Sequence, residues 1–168
     1  MQQETQFAIR LATPEDYDEL CRVLEEGDAH HRQALPHIYR RPAGPARSRD
    51  YVLGIIHSKE AALFLAEVDG QDKPVIGAVH IATRETPDIA LLVPRRYAVV
   101  ENLIVSRAHR RSGIGRALMA QAHQWALTRG VTEVELTVWE FNAEAIAFYG
   151  ELGYRPSRLK MGKTLREG

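Results

Sequence analysis

The chain has 168 residues, 45% hydrophobic and 26% charged, which suits one globular domain with a core of its own. Lys and Arg number 22 and Asp and Glu 22, so the formal charge is zero, and neither a nucleic-acid binder nor a binder of anionic membranes is indicated. A single cysteine, Cys21, excludes an intrachain disulfide and a cysteine-based metal cluster.

Met1 to Arg10 carries Glu4 and no long apolar centre, so no secretory signal is expected. The longest apolar runs, such as Ile89 to Val93, are about five residues, against roughly 20 for a membrane-spanning helix. A cytoplasmic protein is the expectation.

In Phe7 to Leu11, alternation of Phe7, Ile9 and Leu11 predicts a half-buried strand. Thr13-Pro14-Glu15-Asp16 follows as a helix start, with a capping threonine, a proline suited to the first helical position and an acid closing the box. Tyr17, Leu20, Cys21 and Leu24 continue at helical spacing, so Cys21 is expected in the core. Asp28 to Leu35 reads as a second short helix. Pro36 to Arg49 is a loop broken by Pro42, Gly44 and Pro45, carrying Arg40, Arg41, Arg47 and Arg49. A helix over Asp50 to Ser58 comes next.

Ala61 to Val68 and Val75 to Thr83 are predicted strands of an antiparallel hairpin, with turn chemistry in Asp69 to Pro74. Tyr97 to Val105 is a long strand, with Tyr97, Val99, Glu101, Leu103 and Val105 expected on one face. Gly113 to Arg129 is a helix stopped by Gly130, with Leu118, Ala122, Trp125 and Ala126 as its buried stripe. Val134, Leu136 and Val138 alternate with polar residues in another strand. Asn142 caps a helix running to about Leu152 with Gly153 as its stop, and Tyr154 to Leu165 is expected to close the fold as a strand or strand pair. The order is mixed α/β, without repeat or linker.

The stretch His109 to Met119, HRRSGIGRALM, joins the long strand to the helix after it. The first amides of a helix lack intrahelical acceptors and carry partial positive charge, and glycines admit a ligand close to the backbone. Such a turn suits phosphate or pyrophosphate, and Arg110, Arg111 and Arg116 add full charges. A Walker-type loop needs Gly-Lys-Ser/Thr, which is absent. A dinucleotide fingerprint needs a third Gly or Ala where Leu118 stands. A third pattern, Arg/Gln-x-x-Gly-x-Gly/Ala, fits Arg110-Arg111-Ser112-Gly113-Ile114-Gly115 at every position.

That third pattern resembles the pyrophosphate loop of the GNAT superfamily, the acetyl-CoA-dependent N-acetyltransferases. Upstream, VENLIVSRAHRR resembles the family's preceding strand with its Leu-x-Val ending. Downstream, Asn142, Ala145, Phe148, Tyr149, Gly153 and Tyr154 resemble its second signature. The resemblance runs from Phe7 to about Leu165 and implies one N-acetyltransferase domain over residues 1–168. It also implies a mixed central sheet of six to seven strands flanked by helices, with a splay between the two central strands.

By the same resemblance, acetyl-CoA is the cosubstrate, with no metal. The backbone of Leu103, Ile104 and Val105 would pair with pantetheine as an added strand and hold the acetyl carbonyl. Arg110, Arg111, Ser112, Gly113, Ile114, Gly115 and Arg116 would take the pyrophosphate, and Asn142 would contact the cofactor as well as cap its helix. Acetyl transfer needs a neutral amine, support for the oxyanion and a proton for the leaving thiolate. Tyr149, placed near the sulfur by the signature, is the candidate general acid. Glu101 is the candidate base, because a carboxylate among Val99, Val100, Leu103 and Ile104 is costly to bury and burial would raise its pKa. The acceptor would be a small-molecule amine or a protein amino group attacking directly in a ternary complex. Family members often form homodimers. His30, His31 and His37 match no i, i+4 ligand pair and lie in the segment that often lines the acceptor pocket. An acyl-CoA sensor of the same fold, without turnover, is the alternative from another class.

Overall fold

The computed structural model describes residues 6–70 and 72–165. Gln71 of the predicted turn, residues 1–5 of the segment read for a leader and residues 166–168 lie outside them. The chain divides into two compact units, Met1–Thr137 and Val138–Gly168.

The first unit is built on five strands, β1 (Phe7–Leu11), β2 (Ala61–Val68), β3 (Val75–Glu85), β4 (Arg96–Val105) and β5 (Val134–Leu136), in that spatial order. The first three pairings are antiparallel, and β4 pairs parallel with β5. The predicted hairpin is present as β2 and β3, with Phe64 opposite Val79.

Helices α1 (Tyr17–Ala34) and α2 (Arg49–His57) place Leu20, Val23, Leu24 and Val52 against Leu63, Leu65, Ala78 and Ile104 of the sheet. Gly77, one position from Ala78 and so on the opposite face, looks toward Ile114 and Leu118 of α3 (Ile114–Leu127). The predicted stripe of α3 is buried, with Leu118, Ala122 and Ala126 at 0% exposure. Gly130, at φ 71°, stops this helix where expected.

Three expectations give way. Asp28 to Leu35 is no separate helix, because α1 runs unbroken through Gly27. An interior glycine costs a helix about 1 kcal/mol, but here α1 packs so closely that a Cβ at Gly27 would lie 3.0 Å from Ile104 Cδ1. Packing against the sheet offsets the weak propensity. The start is as read: Thr13 N–H donates to Asp16 at 2.7 Å, closing a capping box around a 3-10 turn before α1.

The sheet has five strands among the described residues, not six or seven. The strand predicted over Val134 to Val138 is limited to β5, and Tyr154 to Leu165 contains no strand. Pro156 offers no N–H to a ladder, and Leu159, Met161 and Leu165 are 78%, 85% and 81% exposed, so their alternation meets no apolar face.

The third correction lies in β4. His80 is opposite Asn102 and Ile81 is opposite Val100, so Glu101 is an extra residue, a β-bulge. Tyr97 and Val99 oppose Arg84 and Ala82, whereas Leu103 and Val105 oppose Val79 and Gly77. The bulge therefore puts Leu103 and Val105 on the other face from Tyr97 and Val99, and the five residues do not share a side.

In the second unit, α4 (Ala143–Glu151) is capped by Asn142, whose Oδ1 accepts from Ala145 N–H at 3.2 Å. Gly153, at φ 92°, ends it as predicted. Among the described residues no helix is long and apolar enough to cross a membrane.

Candidate active site

The parallel ladder between β4 and β5 is short. Ala98, Val99 and Val100 oppose Val134, Glu135 and Leu136, and there it ends. From Asn102 to Val105, beyond the Glu101 bulge, β4 pairs with β3 on one side, and alternate backbone groups point away from β3. Within the first unit this is the opening that a splayed sheet would have. Leu103, Ile104 and Val105 line it, with Ile104 only 8% exposed and its side chain held by the core.

The loop after β4 turns through a 3-10 segment, Arg107–His109, into α3. Arg111, at φ 63°, and Gly113, at φ 82°, both lie in the left-handed region. Such kinks turn successive amides toward one side and form an anion-binding concavity. Gly113 is the N-cap of α3 and supplies no capping side chain; the first amide bonded inside the helix is that of Ala117, to Gly113 O at 3.0 Å. Ser112 Oγ bonds back to His109 O, and Arg110 Nε donates to Val105 O at 3.3 Å. His109 Nδ1 is buried without a hydrogen-bond partner.

Arg107, Arg110 and Arg111 are exposed around this turn. Ile114 is 1% exposed, so it offers its backbone and anchors the helix by its side chain. Gly115 and Arg116 occupy the first turn of α3. The whole predicted pyrophosphate segment is thus a helix N-terminus with exposed cations and a strained, glycine-dependent entry. The fit to a doubly charged phosphate group is good on geometry and charge.

Glu101 is exposed, contrary to the expected burial, because the bulge carries it out of the strand's alternation. Arg84 Nη2 donates to Glu101 Oε1 at 2.6 Å. His80, which the sequence reading passed over, sits one strand away opposite Asn102. Burial pushes its imidazole below the ordinary histidine range, and the Glu101 charge pulls weakly the other way. A lone histidine between Val79 and Ile81 on a buried strand was the signal available.

In the second unit, burial pushes the Tyr149 hydroxyl up to about 12, so it is protonated at neutral pH. Its ring meets Phe148 at 5.3 Å and Tyr154 at 5.8 Å between centroids.

His31 Nδ1 bonds Gly27 O at 2.8 Å, and its ring lies 5.5 Å from that of Tyr39. Among the described residues no group of three or more His, Cys, Asp or Glu is disposed to hold a metal. Cys21 is half-buried, not fully in the core. It lines an open groove of about 450 Å3 between α1 and Arg41–Arg47, where Arg47 is ion-paired to Asp28.

Residues 28–154 match the acetyltransferase (GNAT) family. Acetyl transferase GW6a of Oryza sativa subsp. japonica is 31% identical over 115 residues, 65% of this chain, and this chain spans only 27% of its length. An N-alpha-acetyltransferase of Sulfurisphaera tokodaii is 30% identical over 158 residues, covering 89% of this chain and 81% of that protein. A tetramutant of the BH1408 protein from Bacillus halodurans shares the fold, with a TM-score of 0.87 at 23% identity over 94% of this chain and 99% of that one. The match over residues 28–154 and the shared fold agree: this chain belongs to the acetyltransferase (GNAT) family.

Proposed function

We propose that the chain is a single N-acetyltransferase domain that moves an acetyl group from acetyl-CoA to a primary amine by direct attack in a ternary complex. One observation carries this: within the first unit β4 continues past the end of its β5 pairing at Val100 and leads, through the 3-10 segment Arg107–His109, into the left-handed turn at Arg111 and Gly113. An extended pantetheine on the strand and a pyrophosphate on the turn require that continuity.

In this reading the backbone of Leu103, Ile104 and Val105 pairs with the pantetheine arm and orients the acetyl carbonyl. Arg110, Arg111, Ser112, Gly113, Ile114, Gly115 and Arg116 hold the pyrophosphate, and Asn142 adds a contact. Acetyl-CoA supplies an activated carbonyl. The amine nitrogen bonds to that carbon, its proton leaves to Glu101 directly or through water, and the carbon–sulfur bond breaks. Tyr149 gives its hydroxyl proton to the departing sulfur; the phenol is protonated at neutral pH, and burial, by disfavouring the phenolate, adds to the cost of that transfer.

The Sulfurisphaera relative's name, N-alpha-acetyltransferase, puts a peptide or protein N-terminal amine first among acceptors to try, with small-molecule amines beside it. A homodimer and a cytoplasmic setting complete the proposal.

The test is thiol release from acetyl-CoA with peptides of varied N-termini, polyamines and aminoglycosides. Turnover with one class names the acceptor. CoA binding with no turnover for any amine favours the sensor, and no CoA binding sinks both.

A further inference from the structure

Outside the residues assigned above, one side chain grips the phosphate-binding loop from another element. Glu26 of α1 accepts from Ser106 Oγ on Oε1 at 2.9 Å and from Arg107 N–H on Oε2 at 2.7 Å. Both carboxylate oxygens are used at the two residues where β4 ends and the loop begins. Ser106 is 7% exposed and tied at every polar atom: its N–H donates to Ile76 O at 2.8 Å, and its carbonyl accepts from His109 N–H at 2.9 Å. The neighbouring Gly27 explains the reach, because its missing Cβ lets α1 lie close over Ile104.

Burial opposes ionisation of Glu26, but the bonds from Arg107 N–H and Ser106, with the charges of Arg110 and Arg22, hold its carboxyl below the ordinary range. It is a carboxylate at neutral pH. A negative charge beside a turn built for phosphate is electrostatically adverse to the ligand. Attraction therefore cannot be its purpose, whereas ordering can.

We propose that Glu26 is a positioning residue for the cofactor, bracing the Ser106–Gly113 loop in its phosphate-receiving shape before acetyl-CoA arrives. This rests on acetyl-CoA binding at that loop. Loop order established in the free protein does not have to be created on binding, which favours affinity. The brace acts on the diphosphate end and not on the reacting atoms, so its loss is read in KM and not in kcat.

The two effects of removing Glu26 have opposite signs. Loss of charge alone tightens binding of a polyanion; loss of the brace weakens it. Glu26→Ala, Glu26→Gln and Ser106→Ala are compared with wild type by CoA titration calorimetry, by kinetics and by hydrogen exchange of the 106–113 amides without ligand. Glu26→Gln keeps the side chain's size and one accepting oxygen, which guards against a misfolded alanine variant.

The expected result for Glu26→Ala is CoA affinity about tenfold weaker, KM raised in step, kcat within about twofold and faster exchange over the loop. Glu26→Gln and Ser106→Ala fall between it and wild type, and Ser106→Ala adds little to Glu26→Ala. A Glu26→Ala or Glu26→Gln protein that binds CoA as well as wild type, or better, overturns the proposal. Wild type that binds no CoA overturns the reading beneath it and the proposal with it, so the two failures are told apart.

Discussion

Arg84 reaches across from β3 to Glu101 of β4 at 2.6 Å, so the bulged carboxylate is already partnered by a cation before any substrate arrives. Both side chains are substantially exposed, and such pairs contribute about 0–1 kcal/mol to stability. Structure and catalysis are therefore separable here. Glu101→Gln is expected to lower kcat by about 100-fold, the size of a lost general base, with thermal stability nearly unchanged. Arg84→Gln breaks the same pair but keeps the carboxylate, so it retains most of the rate. Equal losses in the two variants would show that the ion pair, not the base, is what matters. The measurement is steady-state kinetics beside a thermal melt.

The left-handed positions of the loop predict a second contrast. A Cβ at Gly113 meets nothing within 4 Å, so Gly113→Ala is strained only through its φ of 82°. The cost is about 1–2 kcal/mol, felt locally, and KM for acetyl-CoA rises while kcat holds. Arg111→Gly relaxes a φ of 63° but removes a cation. Its melting temperature rises slightly or stays level while CoA affinity falls by about tenfold or more, as one charge-assisted phosphate bond would give. Affinity preserved in Arg111→Gly would take that side chain out of the phosphate site.

His80 makes stability depend on pH. Its folded pKa lies below the unfolded value of about 6.5 because burial disfavours the imidazolium. The unfolded chain then binds the proton first as pH falls. The contribution is present above about pH 6.5 and is lost as pH drops through the window beneath it. His123, shifted the same way by burial, adds to the effect. The melting temperature should fall from pH 7.5 to 5.5, and less steeply in His80→Gln. Parallel falls in the two proteins would exonerate His80.

What could be read ahead of the structure was what local chemistry dictates. The Thr13 box, the Asn142 cap and the Gly130 and Gly153 stops are satisfied by residues within a few positions of each other. So is the strand-to-helix turn at Gly113, whose left-handed φ only glycine takes without strain. The misreadings arose where distant partners decide. Gly27 looks like a break until Ile104 is known to lie beneath it. Alternation over Tyr97 to Val105 ignores the bulge, because a bulge exists only relative to β3. Leu159 and Met161 suggest a strand, yet no face receives them. Glu26 and His80 were passed over for the same reason: what gives them significance is distant in the chain, Ser106 and Arg107 lying 80 and 81 residues from Glu26, and Glu101 lying on the next strand from His80.

Two glycines that touch Ile104 from opposite sides of the sheet should behave differently. A Cβ on Gly77 would sit 3.0 Å from Ile104 O, 3.1 Å from Leu118 and 3.3 Å from Ile114, and the carbonyl is fixed in the β3–β4 ladder. Gly77→Ala is expected to destabilise by about 1–3 kcal/mol, as overpacking does. It also shifts the strand proposed to carry pantetheine, so KM for acetyl-CoA rises. A Cβ on Gly27 meets the flexible tip of Ile104, and alanine gains about 1 kcal/mol of helix propensity, so Gly27→Ala comes out near neutral. Denaturant melts of the two variants decide it, and a Gly77→Ala protein as stable as wild type would mean that the strand end gives way.

Tyr149 offers the sharpest separation of roles. Phenylalanine keeps the ring contacts with Phe148 and Tyr154 and removes only the hydroxyl. Tyr149→Phe should bind CoA as wild type does and lose about 100-fold in kcat, the value of a general acid. With its pKa pushed up to about 12, the hydroxyl keeps its proton through pH 10, so the wild-type rate shows no alkaline decline from this group in the pH 7–10 range. The sign for stability follows from the same shift. The folded pKa is above the unfolded value of about 10, so the contribution is complete below pH 10 and is lost as pH rises from there through 12. Tyr154, pushed up to about 12 by burial and by Tyr149, loses its share in the same window. A Tyr149→Phe enzyme with unchanged kcat would leave thiolate departure to solvent and remove the acid from the mechanism.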